Sequence, residues 1–473
     1  MIDRVPSGVK DLAIELFGTN DKIALVVGIL VAITVLAALV GIVGVRRPLL
    51  GAAGIGLIGL IGVAAALADA SDPSLFDAVA PSALGAVAGA ALFLAGAPRV
   101  PVARAHESGD ARTTTPQPLD RRRFLGAAAL TALAATGLGA AGRFLQASAS
   151  AVAARAAVML PRAARRQPPL PDGVDLGIDG VVPYTTPNRD FYRIDTAIIV
   201  PQVKTEGWSL RIHGMVDREL ELTFDELLDR DLVEADITMT CVSNQVGGDL
   251  VGNARWLGVR LKELLEEAGV QEGATQVVPR SVDGYAAGFP TEAAMDGREA
   301  LVAVGMNGEP LPLEHGFPAR LVVPGLYGYV SATKWLKEIE LTTLEGFDSY
   351  WVNRGWAKEA PIKTASRIDT PRGFARVRPG RVPVAGVAWA QGRGVGRVEV
   401  QVDDEPWQRA RLGAGVGDDT WRQWVYEWDA TPGSHSLTVR ATDSRGDTQV
   451  EERMEPIPDG ATGWHSVQVT VES

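Results

Sequence analysis

Hydrophobic and polar positions along the chain fall into three successive patterns. Ile23 to Val45, Leu49 to Leu67, Phe76 to Ala97 and Phe124 to Gly142 are almost continuously apolar and rich in Gly and Ala, with Asp77 near the start of the third run. Runs of about 20 apolar residues are long enough to cross a bilayer as helices. Residues 1–150 are therefore expected to form a transmembrane region of four helices at about 23–45, 49–67, 76–97 and 124–142.

From about Asp172 the pattern shortens. Ala197 to Val200, Trp208 to His213, Leu220 to Thr223 and Ala235 to Met239 read as strands; Phe224 to Leu232, which Thr223 can cap, and Leu261 to Ala268 have helical spacing. Strands and helices mixed without a regular β-α rhythm predict an α+β domain over residues 172–366.

After Arg367 the helical spacing ends. Val382 to Ala390, Val395 to Val402, Trp421 to Trp428, Ser434 to Thr442 and Trp464 to Val471 alternate apolar and polar residues between turn-formers, which predicts an all-β sandwich over residues 367–473. Trp389, Trp407, Trp421, Trp424, Trp428 and Trp464 are expected as core and interface anchors of this domain. Residues 151–171, basic and containing Pro161, Pro168 and Pro169, read as a solvated linker.

Composition and charge sharpen this outline. Hydrophobic residues make up 46% of the 473 and the mean hydropathy is +0.08, which fits a membrane-bound region. Arg46 and Arg47, then Arg99, Arg104, Arg112 and Arg121 to Arg123, set the orientation. By the positive-inside rule the N-terminus lies outside, and the fourth run carries the rest of the chain to the extracytoplasmic side of a multi-pass cell-membrane protein. Arg121, Arg122, Phe124 and Leu125 resemble a twin-arginine export signal, a route for folded proteins that hints at a cofactor inserted before export. The net charge of −11 argues against nucleic-acid binding.

Cys241 is the only cysteine, which excludes an intrachain disulfide, a Cys-rich zinc site and a CxxCH haem attachment. A lone thiol is either a small buried hydrophobe or a chemical group. All five histidines stand outside the four apolar runs, which excludes a bis-histidine haem in that region.

TPNRDFYRID from Thr186 to Asp195, then TMTCVSN, ARWLGVRL, SVDGYAAGFP, MNGEPLPLEHGFPARLVVPG and KWLKEIEL occur in a fixed order. This series resembles the molybdopterin-binding domain of the sulfite oxidase family followed by its immunoglobulin-like dimerisation domain, from about Val182 to the C-terminus. The resemblance implies a molybdenum-molybdopterin cofactor with Cys241 as the thiolate ligand of the metal. A soft, charged sulfur suits a metal otherwise held by dithiolene sulfurs. It further implies a cofactor pocket formed by Asn188, Phe191, Tyr192, Arg193, Arg255, Asp283, His315, Arg320, Ser331, Thr333 and Lys334, with Cys241, Tyr192 and Arg193 as catalytic groups.

Departures from the family pattern bear on the substrate. No Lys or Arg lies between Cys241 and Arg255, Arg193 arrives one residue early, and Trp356 stands where a tyrosine is expected. Gly247, Gly248 and Gly252 beside Asp249 suggest a roomy, weakly charged entrance. A dianion bound without cations loses the charge-assisted hydrogen bonds it needs. The expected reaction is therefore oxygen-atom transfer to or from a small-molecule oxo-acceptor or donor other than sulfite, such as a sulfoxide, with Tyr192, Asn188, Arg354 and Trp356 facing it. Electrons would pass to a separate partner, and the resemblance implies a homodimer. The alternative is a catalytically inactive, membrane-tethered binding or assembly module on the same fold.

Overall fold

The computed structural model describes residues 28, 35–44, 47–69, 83, 85–87, 89–91, 93–94, 150–197 and 199–473. They divide into two compact units, Met1–Ala147 and Ser148–Ser473.

In the first unit, helix α1 (Pro48–Asp69) covers the second apolar run, and residues 35–44 are helical. Among the described residues no helix is long and apolar enough to cross a membrane. This overturns the expected four-helix transmembrane region and, with it, the multi-pass membrane localisation. The fourth apolar run and the twin-arginine-like residues lie outside the described residues, as do much of the first and third runs.

The second unit begins its sheets at β1 (Ser209–Gly214), whose residues Leu210 and Ile212 point into the core while Arg211 is exposed. One five-stranded sheet runs β2 (Leu220–Thr223), β1, β10 (Leu336–Thr342), β5 (Gln276–Ser281), β6 (Phe289–Pro290), with β1 and β10 parallel and the other pairs antiparallel. A second runs β3 (Val233–Thr240), β4 (Val251–Arg260), β7 (Leu301–Met306), β8 (Glu309–Pro310), with β9 (Arg320–Val322) also on β7. Helix α2 (Phe224–Leu228) starts at a capping box: Thr223 Oγ1 accepts from Glu226 N at 3.3 Å and the Glu226 carboxylate accepts from Thr223 N at 2.9 Å. It ends before the expected Leu232. Helix α3 (Leu261–Ala268) has the expected bounds, buries Leu261, Leu264, Leu265 and Ala268 on one face, and closes at Gly269 with φ +73°. Short helices α4 (Thr291–Met295) and α5 (Gly328–Ser331) follow. Residues 197, 199 and 200, expected in a strand, lie outside any strand.

The C-terminal part is a two-sheet β structure. One sheet orders β11 (Ala365–Thr370), β13 (Gly380–Trp389), β17 (Arg422–Ala430), β16 (Arg411–Leu412); the other β12 (Arg376–Val377), β19 (His465–Val471), β18 (Gly433–Asp443), β14 (Val395–Val402), β15 (Gln408–Arg409). Trp424 and Trp428 fill its core with Val398, Val400, Leu437 and Val439. Trp389 and Trp421 belong instead to the α+β core and so join the two halves of the unit. Trp407 meets Trp464 edge-on at 4.9 Å, with the Arg440 guanidinium 4.1 Å from the Trp407 ring.

Strand β3 is the edge of its sheet, and an open edge is a liability that proteins cover. Part of the expected linker covers one end: Ala164 N donates to Leu232 O at 2.8 Å and Glu234 N to Arg165 O at 2.9 Å. Arg155 further fastens this segment, donating to Leu311 O at 2.8 Å and pairing with Glu309 at 2.8 Å. The sandwich covers the other end, where Thr238 N donates to Asp419 O at 2.9 Å and Trp421 N to Thr238 Oγ1 at 2.8 Å.

Candidate active site

Cys241 follows directly on β3 and opens a tight loop back into β4. Its N–H donates to Leu250 O at 2.9 Å, its carbonyl accepts from Asn244 N at 3.1 Å, and Asn244 Oδ1 accepts from Leu250 N at 2.9 Å. The residue is 7% exposed. Burial pushes its thiol pKa up, opposed by the backbone and hydroxyl donors of Ser243. The thiol borders a cleft of about 730 Å³, counting its open mouth, which also receives Phe191, Tyr192, Asp283, His315, Arg320 and Lys334.

Aromatic packing sets one wall. Phe191 stacks on Tyr192 with centroids 5.2 Å apart and meets Trp256 and His315 edge-on at 5.9 and 5.6 Å. Gly252 on β4 makes room: a Cβ there would stand 2.8 Å from the Phe191 ring. Burial raises the Tyr192 phenol pKa far above its ordinary value, and among the described residues its hydroxyl has no hydrogen-bond partner.

The opposite wall is the His315–Arg320 loop clamped to the Lys334-Trp335 segment. Gly316 adopts φ +109° with Lys334 and Arg320 packed against its Cα, and Trp335, itself at φ +50°, donates from Nε1 to Leu313 O at 2.8 Å. His315 Nε2 lies 2.9 Å from Asn188 O. A carbonyl can only accept, so Nε2 carries the proton and Nδ1 keeps its lone pair. Burial, then the Arg320 charge, holds the His315 pKa down at about 4.

Arg320 is 4% exposed, and its guanidinium donates to the carbonyl oxygens of Leu321, His315 and Ala332 at 3.1–3.3 Å. It also lies 5.1 Å from the Trp256 ring. Burial lowers its pKa to about 10, so it remains a cation, yet no carboxylate of the described residues pairs with it. Lys334 pairs with Asp195 at 2.8 Å; burial lowers it to about 8 against the pull of that carboxylate.

The remaining expected positions do not line the cleft. Asn188 donates to Met306 O at 3.2 Å and to Glu309 at 2.6 Å, and acts on the cleft only through His315. Arg193 pairs with Asp195 at 2.9 Å. Arg255 is engaged by Asp236 at 2.8 and 2.9 Å and by Pro168 O. Ser331 donates to Tyr327 O at 3.0 Å inside α5. Thr333 is 1% exposed, with its hydroxyl unpartnered among the described residues.

Tyr285, Tyr329 and Trp351 line the cleft without having been expected there. Tyr285 follows the Asp283-Gly284 turn, and its hydroxyl donates to Tyr329 O at 2.5 Å. Its position in SVDGYAAGFP was the available signal. Trp356, expected to face substrate, packs behind Tyr329 and Trp351 at 5.7 and 6.4 Å, and Arg354 lies over Tyr350 at 3.5 Å.

These groups suit a large anionic cofactor that brings most of a metal's ligands with it. Among the described residues no cluster of three or more His, Cys, Asp or Glu could hold a metal. A desolvated guanidinium without a counter-charge and a neutral imidazole with a free acceptor nitrogen are the complement of such a group.

Comparison with known proteins gives the same direction. Residues 197–351 match the oxidoreductase molybdopterin binding domain, and residues 365–439 a bacterial Ig domain. Human mitochondrial sulfite oxidase is 30% identical over 346 residues, 61% of this chain and 62% of that one. The chain thus spans about 62% of the length of such curated relatives. An uncharacterized oxidoreductase of Bacillus subtilis, YuiH, is 35% identical over 149 residues, 32% of this chain and 72% of that protein. Among solved structures, the sulfane dehydrogenase SoxCD of Paracoccus pantotrophus shares the fold with TM-score 0.54 at 22% identity, covering 63% of this chain and 85% of the other.

Proposed function

The chain belongs to the molybdopterin-dependent oxidoreductases of the sulfite oxidase family, its cofactor is molybdenum-molybdopterin, and on that premise we propose that Cys241 is the thiolate ligand of the metal and that the substrate is a small neutral oxo-acceptor or oxo-donor rather than sulfite. In this reading residues 172–366 form the cofactor domain and 367–473 the immunoglobulin-like domain. When bound, the cofactor supplies two-electron oxygen-atom-transfer chemistry.

The observation that carries the proposal is the meeting of the single thiol with Arg320, His315 and Lys334 in one cleft. Arg320 is suited to an anionic part of the cofactor through a fixed fork of donors. His315, its Nε2 proton committed to Asn188, offers Nδ1 as an acceptor for a ring N–H. Asn188 is thus a positioning residue, as are Thr333 and Ser331 beside the Lys334 turn. Tyr192, protonated at any ordinary pH, can donate one hydrogen bond to a substrate or cofactor oxygen.

Charge favours a neutral substrate. The cations on the cleft are Arg320 and Lys334, and Asp195 and Asp283 line it too. Once the cofactor's negative groups occupy Arg320, the remaining cation is Lys334, which Asp195 already pairs, whereas Tyr285, Tyr329 and Trp351 offer an apolar mouth. Two electrons per oxygen atom must be exchanged with a separate redox partner, and pairing of two chains through the immunoglobulin-like domain follows the family likeness.

The test is molybdenum and pterin content of the purified protein beside Cys241→Ser, followed by turnover of sulfite and of neutral S-oxides with an artificial electron carrier. Near-stoichiometric metal, loss of its thiolate signature in Cys241→Ser, and faster turnover of the neutral compound are expected. Sulfite as the better substrate would overturn the substrate reading. Absence of metal and pterin from both proteins would leave a binding module.

A further inference from the structure

The segment that carries Cys241 is held at both ends by residues of the immunoglobulin-like domain, and we propose that this domain is a positioning element for the thiolate, acting through Gln391 and Arg367. The inference rests on the reading of Cys241 as the metal ligand.

Upstream of Cys241, Gln391 Nε2 donates to Thr238 O at 3.0 Å and to Thr240 Oγ1 at 3.2 Å, fixing the last turn of β3 before the thiol. Gln391 is 1% exposed, so these bonds form away from water, where an unmade one is costly. Downstream, Arg367 Nη1 donates to Gly248 O at 2.8 Å while its Nε holds Asp369 at 2.6 Å, and Arg367 is 6% exposed. Gly247 has φ +79°, and a Cβ there would lie 2.4 Å from the His465 ring. That ring is itself fixed, since Ile368 N donates to His465 Nδ1 at 3.0 Å. The loop therefore seats on β11 and β19 with no room for a side chain.

Between these points Val242 is packed into the core at 3% exposure, while the other side of the loop is open. Thr240, Asn244 and Gly247 border a second cavity, of about 1240 Å³ with its opening, whose far wall includes Ser366, Trp389 and Gln449. Close packing normally fixes a loop. On this open side hydrogen bonds from the neighbouring domain hold it, and a metal ligand displaced by a fraction of an ångström no longer meets its metal in the productive geometry.

Cys241 is the only cysteine, so its alkylation can be followed without background. In cofactor-free protein, iodoacetamide alkylation of Cys241 and hydrogen exchange of amides 241–250 are compared for wild type, Gln391→Met, Arg367→Lys and Gly247→Ala. Arg440→Ala, at the far edge of the sandwich, is the control. Arg367→Lys keeps the charge beside Asp369 and guards against simple unfolding, which near-UV circular dichroism checks. We expect alkylation about three- to tenfold faster in Gln391→Met and Arg367→Lys, as loss of one net hydrogen bond predicts, faster also in Gly247→Ala, where the added Cβ meets the His465 ring, and unchanged in the control. In loaded protein the paramagnetic Mo(V) signal should shift in the same variants. Alkylation and exchange equal to wild type in folded Gln391→Met, Arg367→Lys and Gly247→Ala would overturn the proposal. Absence of molybdenum from the wild type would instead remove the ligand reading, while the alkylation rates still report whether the sandwich seats the loop.

Discussion

The imidazole Nε2 of His315 stands 2.9 Å from the backbone carbonyl of Asn188, which joins the early TPNRDFYRID segment to the EHGFPAR loop across the cleft. Because the acceptor is a carbonyl, the bond survives only while Nε2 is protonated. Because burial resists a second proton, the ring stays neutral.

This neutrality makes stability depend on acid. The His315 pKa is about 4 in the folded protein against an ordinary 6.5, so between those values the unfolded chain binds the proton that the folded one refuses. Stability is complete above about pH 6.5 and falls as pH drops toward 4, by on the order of 2–3 kcal/mol for this residue. His465, held down to about 4 chiefly by burial, contributes in the same window. Urea midpoints of cofactor-free protein between pH 7 and 4 should fall less steeply in His315→Gln. An equal slope would show that the ring titrates normally.

Arg320→Met should separate folding from cofactor retention. Removing a desolvated cation offsets the loss of its three carbonyl contacts, so the melting temperature of cofactor-free protein should change by only a few degrees. Pterin and molybdenum content should fall below about a tenth of wild type, since a charge-assisted contact of about 1.5–3 kcal/mol disappears. Full retention would place the cofactor's negative groups elsewhere.

Turnover of the favoured substrate should depend weakly on salt. With cations and carboxylates interleaved along the cleft, kcat/KM is expected to vary by less than about twofold between 0.05 and 0.5 M salt. Trp351→Ala should raise KM for an organic substrate by roughly tenfold while leaving kcat within about twofold, because it removes apolar contact at the mouth. A steep salt dependence would mean that an anion is being steered.

Thr223→Ala removes the hydroxyl cap of α2 and leaves Glu226 N without its acceptor, while the Glu226 carboxylate keeps the backbone N–H of residue 223. The cost should be about 1 kcal/mol in denaturant unfolding, with molybdenum content unchanged.

How much of this was legible in the sequence depended on the kind of signal. Strands β2 and β14 and helix α3 have the bounds that their patterns gave, since one face of each is buried and the other wet. Strand β7 buries every position, so it carries no period of two, and β9 is three residues long. Cys241, Phe191, Tyr192, Asp283, His315, Arg320 and Lys334 reach the cleft because each sits within a motif whose neighbours fix its direction. Arg255 belongs to a motif as well, but Asp236 opposite it on β3 captures the guanidinium. Trp351 arrives from a loop and Tyr329 from the one-turn helix α5, and no local pattern specifies the course of either. The apolar N-terminal runs led to an expected membrane region, whereas among the described residues no helix is long and apolar enough to cross a membrane.

The seating of the Cys241 loop on Arg367 and His465 also sets an order of events during synthesis. Residue 465 leaves the ribosome long after Cys241, so the thiol's loop has no seat until β19 has been made. If Cys241 is the metal's ligand as proposed, completion of the site waits for β19. A nascent chain halted before β19 presents a cysteine but no completed site, and the C-terminal domain acts as a checkpoint on maturation.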